Sequence, residues 1–322
     1  MDKIFPIKLD KAGVLKYKTV QWKLHNKCNY NCSFCSANNK DGSDPWFSIE
    51  KYKSVIDKLY KSNDSPIYFI FTGGEPTLYP NFIELLQYTK SLGGTNILIT
   101  NGSRTIRWWK ELVEANCLDR LTLTYHSEQS KDYQHVTEVI NLFHDVPTET
   151  YCEVTHTKDT IDLAFEGCNY LIKNTGGVIH IKSMNIHAYN IHDMYTEEQL
   201  AFIKKHNYRP GEKRHKVVRK GIPLKSIFNA MITMTYNNGD RKIMDHQTLL
   251  KNQANSFTEW QCEVGQNELF IDHAKIYRGV CEVGGSIGSI DDEVISFSTD
   301  NVICTKKHCE CFSDIAANKI KL

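Results

Sequence analysis

Residues 28–35, Cys28-Asn-Tyr-Asn-Cys32-Ser-Phe-Cys35, form the most informative segment of the chain, and they follow directly after a predicted first β-strand. Three thiolates in one tight loop can hold three irons of a four-iron, four-sulfur (4Fe-4S) cluster and leave the fourth iron open, whereas a closed structural site uses four protein ligands. The segment therefore predicts an iron–sulfur centre with an open iron. A zinc loop is the alternative, although zinc loops usually pair two C-x(2)-C knuckles.

The predicted first strand opens a regular alternation of β-rich runs and amphipathic stretches of helical length. Strands are predicted over residues 19–24, 66–71, 96–100, 121–125, 151–155 and 178–182. Helices are predicted over residues 48–61, 81–92, 105–115, 130–143 and 161–173. This order is typical of a parallel sheet with crossover helices. Six repeats are too few for a closed eight-stranded barrel, so the expected fold class is α/β with an open, partial (β/α)6 TIM-like barrel.

The rest of the chain differs in composition from the barrel segment. Residues 204–220 hold eight Lys or Arg against one acid, Glu212. The segment beyond Trp260 is β-rich, dotted with Gly and rich in Cys, which predicts a small C-terminal cluster-binding domain. The predicted organisation is an N-terminal extension over 1–18, the barrel over 19–182, a bridging segment over 183–260 and the C-terminal domain over 261–322.

The overall composition excludes several classes of protein. The 322 residues carry 39 Lys+Arg against 38 Asp+Glu, so no global field of one sign attracts nucleic acid or a membrane surface. A hydrophobic fraction of 41% is enough for a sizeable core. No apolar run reaches the roughly 18 residues of a spanning helix, and the first residues lack the apolar core of a signal peptide. We expect a soluble, cytoplasmic protein without membrane contacts.

A second motif, Gly73-Gly74-Glu75-Pro76, lies just after the second predicted strand. Glycines let a chain approach a ligand closely, and the Glu75 carboxylate suits a cationic amine. Together with the C-x(3)-C-x(2)-C loop and its aromatic Phe34, this motif resembles the signature of the radical S-adenosylmethionine (SAM) superfamily. In that family the GGEP motif meets the amino group of the SAM methionine. The resemblance covers residues 19–182.

The resemblance implies a set of site residues. Cys28, Cys32 and Cys35 would hold the catalytic 4Fe-4S cluster, and Phe34 and the GGEP residues, Pro76 included, would bind cofactor. Two later strand ends resemble segments that contact SAM, with Thr100 and Asn101 near the methionine part, and Thr124, His126 or Ser127 near the ribose. The alternative for Asn101-Gly102 is a simple turn from strand to helix.

The resemblance also implies the chemistry. SAM would chelate the open iron, and one electron from a donor such as flavodoxin or ferredoxin would cleave its carbon–sulfur bond to methionine and a 5'-deoxyadenosyl radical. That radical abstracts hydrogen from an unactivated carbon, so the protein must hold the target C–H bond close and exclude water. The chain is therefore expected to be an oxidoreductase or modifying enzyme.

A second group of five cysteines lies near the C-terminus: Cys262, Cys281, Cys304, Cys309 and Cys311. Their arrangement resembles the twitch or SPASM-type domains of the same superfamily, which carry auxiliary iron–sulfur clusters. Five thiols exceed the four that one closed cluster needs and fall short of the eight of two, so one auxiliary 4Fe-4S cluster is the economical expectation. Which of the last three cysteines are ligands stays open, and a zinc knot is the alternative.

The substrate is less defined by the sequence. Glu153, His180 and Lys182 on late strands are candidates to contact it. Superfamily members with this C-terminal architecture often modify peptides or small metabolites, which favours such a substrate by analogy. The basic stretch at 204–220 is either a solvated surface or a binding site for a nucleotide or nucleic acid. A more distant alternative, a non-catalytic iron–sulfur or zinc module that binds nucleic acid, leaves the GGEP motif unexplained.

Overall fold

A computed structural model describes residues 5–11, 17–129, 132–175, 178–183, 196–206, 231–244, 246–311 and 313–322. Its strands are β1 (Pro6–Lys11), β2 (Lys18–Lys23), β3 (Ile67–Thr72), β4 (Thr95–Thr100), β5 (Arg120–His126), β6 (Glu149–His156), β7 (Val178–Ser183), β8 (Ile232–Tyr236), β9 (Arg241–Met244), β10 (Trp260–Cys262), β11 (Glu268–Asp272), β12 (Lys275–Tyr277), β13 (Ser286–Ser289), β14 (Val302–Ile303) and β15 (Lys319–Lys321). Its helices are α1 (Ile49–Lys61), α2 (Phe82–Ser91), α3 (Ile106–Ala115), α4 (Tyr133–Leu142), α5 (Ile161–Thr175), α6 (Glu197–His206) and α7 (His246–Lys251).

The chain forms two compact units, and each is discontinuous in sequence. The first unit comprises Met1–Trp22, Glu50–Phe69 and Pro223–Leu322. The second comprises Lys23–Ile49 and Ile70–Ile222. Strands β2 and β3 begin in the first unit and end in the second, whereas β4 to β7 belong wholly to the second.

Parallel strands form the framework of the second unit. Strands β2 to β7 lie side by side in chain order, and the pairs β4–β5, β5–β6 and β6–β7 are all parallel. Helices α2, α3, α4 and α5 connect successive strands. Because the strands are parallel, their carboxyl ends lie at one edge of the sheet, near Thr72, Thr100, His126 and His156. The predicted (β/α)6 order is confirmed.

Local sequence explains where the helices of this unit begin and end. The Thr105 side chain accepts a hydrogen bond from Trp108 N and caps α3, which ends at Asn116 in a left-handed conformation. The Asp132 carboxylate accepts from His135 N at 2.9 Å and caps α4. The sequence predicts a helix from residue 130, and this cap explains why α4 begins at Tyr133 instead.

An antiparallel sheet of six strands, in the order β14-β10-β15-β1-β8-β9, organises the first unit. The N-terminal strand β1 lies inside this sheet, where Leu9 is the partner of Lys319 on one side and Met234 on the other. The sequence predicts an N-terminal extension over residues 1–18, and within that range the structure describes Pro6–Lys11 as a strand of this sheet. The first unit is discontinuous because β1 pairs with β15 near the other end of the chain.

The C-terminal segment of the first unit is β-rich, as the sequence predicts. Strands β11 and β12 form an antiparallel hairpin, with Phe270 opposite Tyr277. Strand β13 pairs with the other side of β12. No helix among the described residues is both long and apolar enough to cross a membrane.

Candidate active site

The cysteine loop of residues 28–35 follows the carboxyl end of β2. Cys32 is buried, and Cys28 and Cys35 are partly buried. Burial raises the pKa of the Cys28 thiol, and the hydrogen bond from Tyr30 N to its sulfur, at 3.4 Å, opposes that change. Burial also raises the pKa of Cys32 to about 12, and the other two thiols add to the shift. Cys35 contributes to the raised pKa of both Cys28 and Cys32, so the three thiols lie close together in one loop.

Two side chains that follow β5 hold the main chain of this loop. The Glu128 carboxylate accepts from Ser33 N with both oxygens, at 3.1 and 3.0 Å. The Gln129 Oε1 atom accepts from Asn31 N at 3.1 Å. Neither Glu128 nor Gln129 is among the site residues predicted from the sequence. The one signal for them is their position directly after β5, whose carboxyl end lies at the same edge of the sheet as the cysteine loop.

His126, at the end of β5, contacts the loop directly. Its Nδ1 atom lies 3.4 Å from Cys32 Sγ and 3.2 Å from Thr155 Oγ1. The Thr155 hydroxyl also lies 3.2 Å from Tyr125 O. The Phe34 ring stacks on the imidazole with a centroid distance of 5.9 Å. His126 therefore places a ring nitrogen within hydrogen-bond distance of the Cys32 sulfur.

Glu75 of the GGEP motif is almost completely buried, with 1% of its surface exposed. Its Oε1 atom accepts from Thr77 N at 3.1 Å and from the Thr77 and Thr100 hydroxyls at 2.6 Å, and its Oε2 atom accepts from Asn101 N at 2.8 Å. Burial raises the pKa of the Glu75 carboxyl, and these hydrogen bonds oppose the change. The carboxylate thus ties the turn after β3 to the end of β4. Its contact with an amine stays a prediction.

The two glycines of the motif pack against the chain that leads into the cysteine loop. A Cβ atom on Gly74 would lie 2.2 Å from Lys27 O, and one on Gly73, whose φ is +138°, would lie 2.5 Å from His25 O. The same segments are joined by hydrogen bonds from Gly74 N to His25 O and from Glu75 N to Lys27 O, both 2.9 Å. The close approach that the sequence predicts toward a ligand is made here to the protein's own backbone.

Asn101 joins the end of β4 to the cysteine loop. Its Nδ2 atom donates to Asn29 Oδ1 at 3.0 Å and lies 3.9 Å from Cys28 Sγ. Ser103 completes this link because its hydroxyl accepts from Asn29 Nδ2 at 2.8 Å. A cavity of about 190 Å³ opens beside these residues and is lined by Tyr30, Asn101, Ser103, Tyr125, His126, Asp132, His135 and Val136.

The other predicted contact residues have different surroundings. Pro76 is buried at the start of a short 3-10 turn. Ser127 donates through its hydroxyl to Thr155 O at 3.0 Å, and Thr124 and Glu153 are register partners across β5 and β6. None of these four is a lining residue of the described cavity. The side chains of His180 and Lys182 and most of the basic stretch, 207–220, lie outside the described residues, and their predicted roles stay predictions.

The five C-terminal cysteines lie in one neighbourhood of the first unit. Burial raises the pKa of Cys309 to about 12, and the thiols of Cys262 and Cys304 contribute to that shift. Burial raises the pKa of Cys281, and it raises the pKa of Cys311 to about 12. The thiol of Cys309 contributes to both shifts. Cys309 is therefore the member of the group that lies near all four others.

Both cysteine groups suit a polynuclear iron–sulfur cluster. Their donor sets are thiols, the ligands that such clusters use. Across the described ranges, no three His, Cys, Asp or Glu side chains converge tightly enough to chelate one ion. A polynuclear cluster spreads its ligands more widely than one ion does, so thiols that share a neighbourhood are compatible with it.

A three-cysteine loop at the carboxyl edge of a parallel (β/α) sheet defines a class of α/β enzymes whose chemistry is carried out by a cofactor. The model of the radical SAM superfamily matches residues 22–203, more than half of the chain. The chain belongs to the radical SAM superfamily. Membership implies a 4Fe-4S cluster and SAM, and the relatives are enzymes.

Individual relatives match only parts of the chain. The Fe-coproporphyrin III synthase of Methanosarcina barkeri is 36% identical over 27% of this chain and 22% of its own length. A SAM-dependent nucleotide dehydratase of Flammeovirga pacifica is 31% identical over 39% of this chain and 44% of its own length. The chain thus spans less than half the length of these curated relatives.

A solved structure matches over most of the chain. The structure titled native anSMEcpe with bound AdoMet and Kp18Cys peptide has a TM-score of 0.52 and 14% identity, and it covers 86% of this chain and 78% of that chain. At this identity the likeness establishes the fold. It extends beyond the region of the family model and confirms the predicted fold class.

Proposed function

We propose that this enzyme uses a reduced 4Fe-4S cluster, held by Cys28, Cys32 and Cys35, to cleave SAM reductively and to abstract hydrogen from a peptide or small metabolite. The observation that carries the proposal is the convergence of three thiols with the ends of β3, β4 and β5. Glu128 and Gln129 accept hydrogen bonds from the main chain of the loop, and Asn101 donates one to Asn29, which fixes the loop at that edge.

The chain's own residues prepare this site. When bound, the cluster and SAM supply the one-electron cleavage and the organic radical. The three cysteines must lose their thiol protons to bind iron, and burial opposes that loss for Cys28 and Cys32. The Tyr30 N–H stabilises charge on the Cys28 sulfur, and a ring nitrogen of His126 lies within hydrogen-bond distance of the Cys32 sulfur. Glu75 and Asn101 keep the GGEP turn and the end of β4 in register with the loop.

A cavity beside the loop supports the placement of SAM. The 190 Å³ space is lined by Asn101 and His126, which the sequence analysis places near SAM, and by Tyr30 and Ser103. Aromatic and hydroxyl side chains suit a nucleoside, which has a flat base and a polyhydroxylated sugar. We therefore assign this cavity to part of SAM, with Thr124 and Ser127 in supporting positions.

The substrate class is proposed with support from fold and relatives. A peptide accompanies the structural neighbour described above, which favours a peptide at the same sheet edge. A nucleotide is the second candidate, because the Flammeovirga relative acts on nucleotides by its name. The basic stretch at 204–220 would serve the nucleotide, and a flavodoxin or ferredoxin would supply the electron in either case.

We also propose that the C-terminal cysteines hold one auxiliary 4Fe-4S cluster. The support is the shared neighbourhood of Cys262, Cys281, Cys304, Cys309 and Cys311 around Cys309. Four of the five thiols would complete the ligand shell, and the fifth would remain a neighbour of the cluster.

The proposed substrates can be separated by isotope transfer. The reconstituted enzyme is incubated anaerobically with SAM, reductant and either perdeuterated peptides or perdeuterated nucleoside triphosphates, and the 5'-deoxyadenosine is analysed by mass spectrometry. Deuterium from peptides supports the first candidate, and deuterium from nucleotides supports the second. Formation of 5'-deoxyadenosine that never contains deuterium from either set would contradict both substrate classes. The Cys28, Cys32 and Cys35 triple alanine variant is the control and should form no product.

A further inference from the structure

Lys319 is a buried lysine beside the C-terminal cysteine group. It lies on β15, where it is the cross-strand partner of Cys262 on β10 and of Leu9 on β1. Only 3% of its surface is exposed. Lysine is almost never buried to this extent unless its amine has partners, so its surroundings determine what the residue does.

The hydrogen bonds of Lys319 identify its charge state. Its Nζ atom donates to the main-chain oxygens of Asp314 at 2.7 Å, Ile315 at 3.2 Å and Ala317 at 2.8 Å. Three acceptors require three N–H donors, which an ammonium group has and a neutral amine lacks. All three acceptors are carbonyl oxygens without formal charge. The group is therefore a fixed cation whose charge these partners do not neutralise.

The cation acts on the thiols around it. Burial raises the pKa of Cys262 and of Cys309, and Lys319 is the largest influence that opposes the rise in each. A positive charge favours the thiolate over the thiol. The two cysteines whose thiolate form Lys319 favours are far apart in sequence: Cys262 lies on β10, and Cys309 lies near the C-terminus.

A cluster with four thiolate ligands carries net negative charge, and placing that charge in a buried site is unfavourable unless a compensating charge is near. The reduced cluster carries one more negative charge than the oxidised one. A fixed cation therefore stabilises the reduced form more, and net charge around a cluster is one of the factors that set its reduction potential.

We infer that the Lys319 ammonium compensates the negative charge of an iron–sulfur cluster bound by the C-terminal cysteine group and raises the reduction potential of that cluster. The inference rests on the auxiliary-cluster part of the proposed function. It assigns the role to a lysine outside the cysteine motif, on the last strand of the chain.

Asp314 is a buried side chain near the same cysteines, and its charge is opposite to that of Lys319. Its carboxylate is 1% exposed and accepts from Val280 N at 3.3 Å and from Cys281 N. A Cβ atom on Gly279 would lie 2.4 Å from its Oδ1 atom, so the segment that leads to Cys281 can approach the carboxylate this closely only with a glycine at that position. Asp314 contributes to the raised pKa of Cys281 and its neighbours. A buried anion at this place should lower the potential that Lys319 raises.

The test uses full-length protein in which Cys28, Cys32 and Cys35 are Ala, so that the C-terminal group holds the only proposed cluster. After anaerobic reconstitution, iron content is measured and the midpoint potential is determined by a titration followed by electron paramagnetic resonance. In this background, Lys319→Gln should lower the equilibrium constant for one-electron reduction at least tenfold, about 59 mV. Asp314→Asn should raise the potential. Lys319→Arg keeps the charge and should stay near the parent.

Lys321→Gln is the matched control, since Lys321 lies on the same strand but is exposed, with its ammonium over the Phe5 ring at 4.4 Å. It should leave the potential unchanged. Potentials that do not move in Lys319→Gln or Asp314→Asn, with iron retained, would overturn the inference and leave the auxiliary cluster standing. Zinc without iron in the parent background would instead overturn the auxiliary-cluster proposal and the inference with it.

Loss of iron from a Lys319 variant is also informative. If Lys319→Gln loses iron while Lys319→Arg retains it, the positive charge is required for cluster binding and the inference is supported. If both variants lose iron, Asp314→Asn decides: a raised potential supports the charge account, and an unchanged potential overturns it.

Discussion

The two cysteine groups of this protein are built in opposite ways. Residues 28–35 bring three thiols together within one loop, and the side chains of Glu128 and Gln129, which follow β5, accept hydrogen bonds from the main chain of that loop. The C-terminal group draws five thiols from Cys262 to Cys311, which an antiparallel sheet brings into one neighbourhood. A local site can be recognised in the sequence from its spacing, whereas a site assembled by tertiary structure can be recognised only by its composition.

The two groups also differ in how they favour thiolates. Burial raises thiol pKa values in both. In the loop the Tyr30 N–H opposes the rise at Cys28, and the partly buried Lys40 ammonium, which donates to Cys32 O at 2.7 Å, opposes it at Cys32. In the C-terminal group the Lys319 ammonium opposes the rise at Cys262 and Cys309. The loop therefore combines a neutral donor with a partly buried cation, whereas the cation of the C-terminal group is almost completely buried.

The largest expected effect separates the groups by their iron. Cys262→Ala combined with Cys281→Ala should remove the C-terminal cluster, and iron content should fall to about half because each four-iron cluster has its own ligands. SAM cleavage without substrate should continue, since its three thiols are in the loop. Iron analysis and a 5'-deoxyadenosine assay check this result. Complete loss of iron from the double variant would show that the two groups do not bind independently.

The second prediction tests the packing behind the loop. Gly74→Ala would place a Cβ atom 2.2 Å from Lys27 O, so the backbone next to Cys28 must move. We expect SAM cleavage to fall more than tenfold while the C-terminal iron is retained. Gly93→Ala is the control, because its φ is +83° but nothing lies within 4 Å of the added Cβ. It should cost about 1 kcal/mol of stability and leave cleavage intact. Equal loss in both variants would contradict the packing account.

The third prediction concerns Glu75→Gln, which keeps the size of the side chain and removes its charge. The amide can accept hydrogen bonds from only some of the four groups that donate to the carboxylate. The free energy of unfolding should therefore fall by about 1–3 kcal/mol. If Glu75 also meets the SAM amine, SAM affinity should fall by roughly tenfold to a hundredfold. Denaturant unfolding and calorimetry measure the two effects. Glu84→Gln, on exposed α2 surface, is the control; unchanged stability and binding in Glu75→Gln would contradict both roles.

The smallest effect is a pH dependence of the metal-free protein. Burial raises the pKa of Cys32 to about 12, above the roughly 8.5 of an unfolded chain. The folded state then holds its proton more tightly, so this stabilising contribution is present below about pH 8.5 and declines as pH rises toward 12. Unfolding of wild type and Cys32→Ala in urea at pH 8 and pH 10 should show a steeper decline for wild type. Parallel pH profiles would contradict the raised pKa.

Much of the fold could be predicted because it follows from local patterns. The six parallel strands and their helices lie within a few residues of their predicted bounds, since alternating apolar runs and caps such as Thr105 are local signals. Strand β1 could not be found in this way, because its partner β15 is near the other end of the chain. Hairpin β8–β9 carried a usable signal, Asn238-Gly239, flanked by β-rich runs.

The candidate site divides in the same manner. The cysteines and GGEP residues are recognisable from spacing, and the structure brings Glu75, Asn101 and His126 to the loop. Glu128 and Gln129 could not be identified, because their role depends on which main-chain N–H groups the loop presents to them. Lys319 could not be identified from the sequence either, since only the register of β10 and β15 places it beside Cys262.

The most direct test of the central claim is SAM cleavage by the anaerobically reconstituted protein. Wild type and the Cys28, Cys32 and Cys35 triple alanine variant are incubated with SAM and titanium(III) citrate, and 5'-deoxyadenosine and methionine are quantified. The account predicts both products in equal amounts from wild type and only background from the triple variant, whose retained C-terminal iron shows that it is folded. Cleavage by the triple variant at the wild-type rate would contradict the assignment of the cysteine loop.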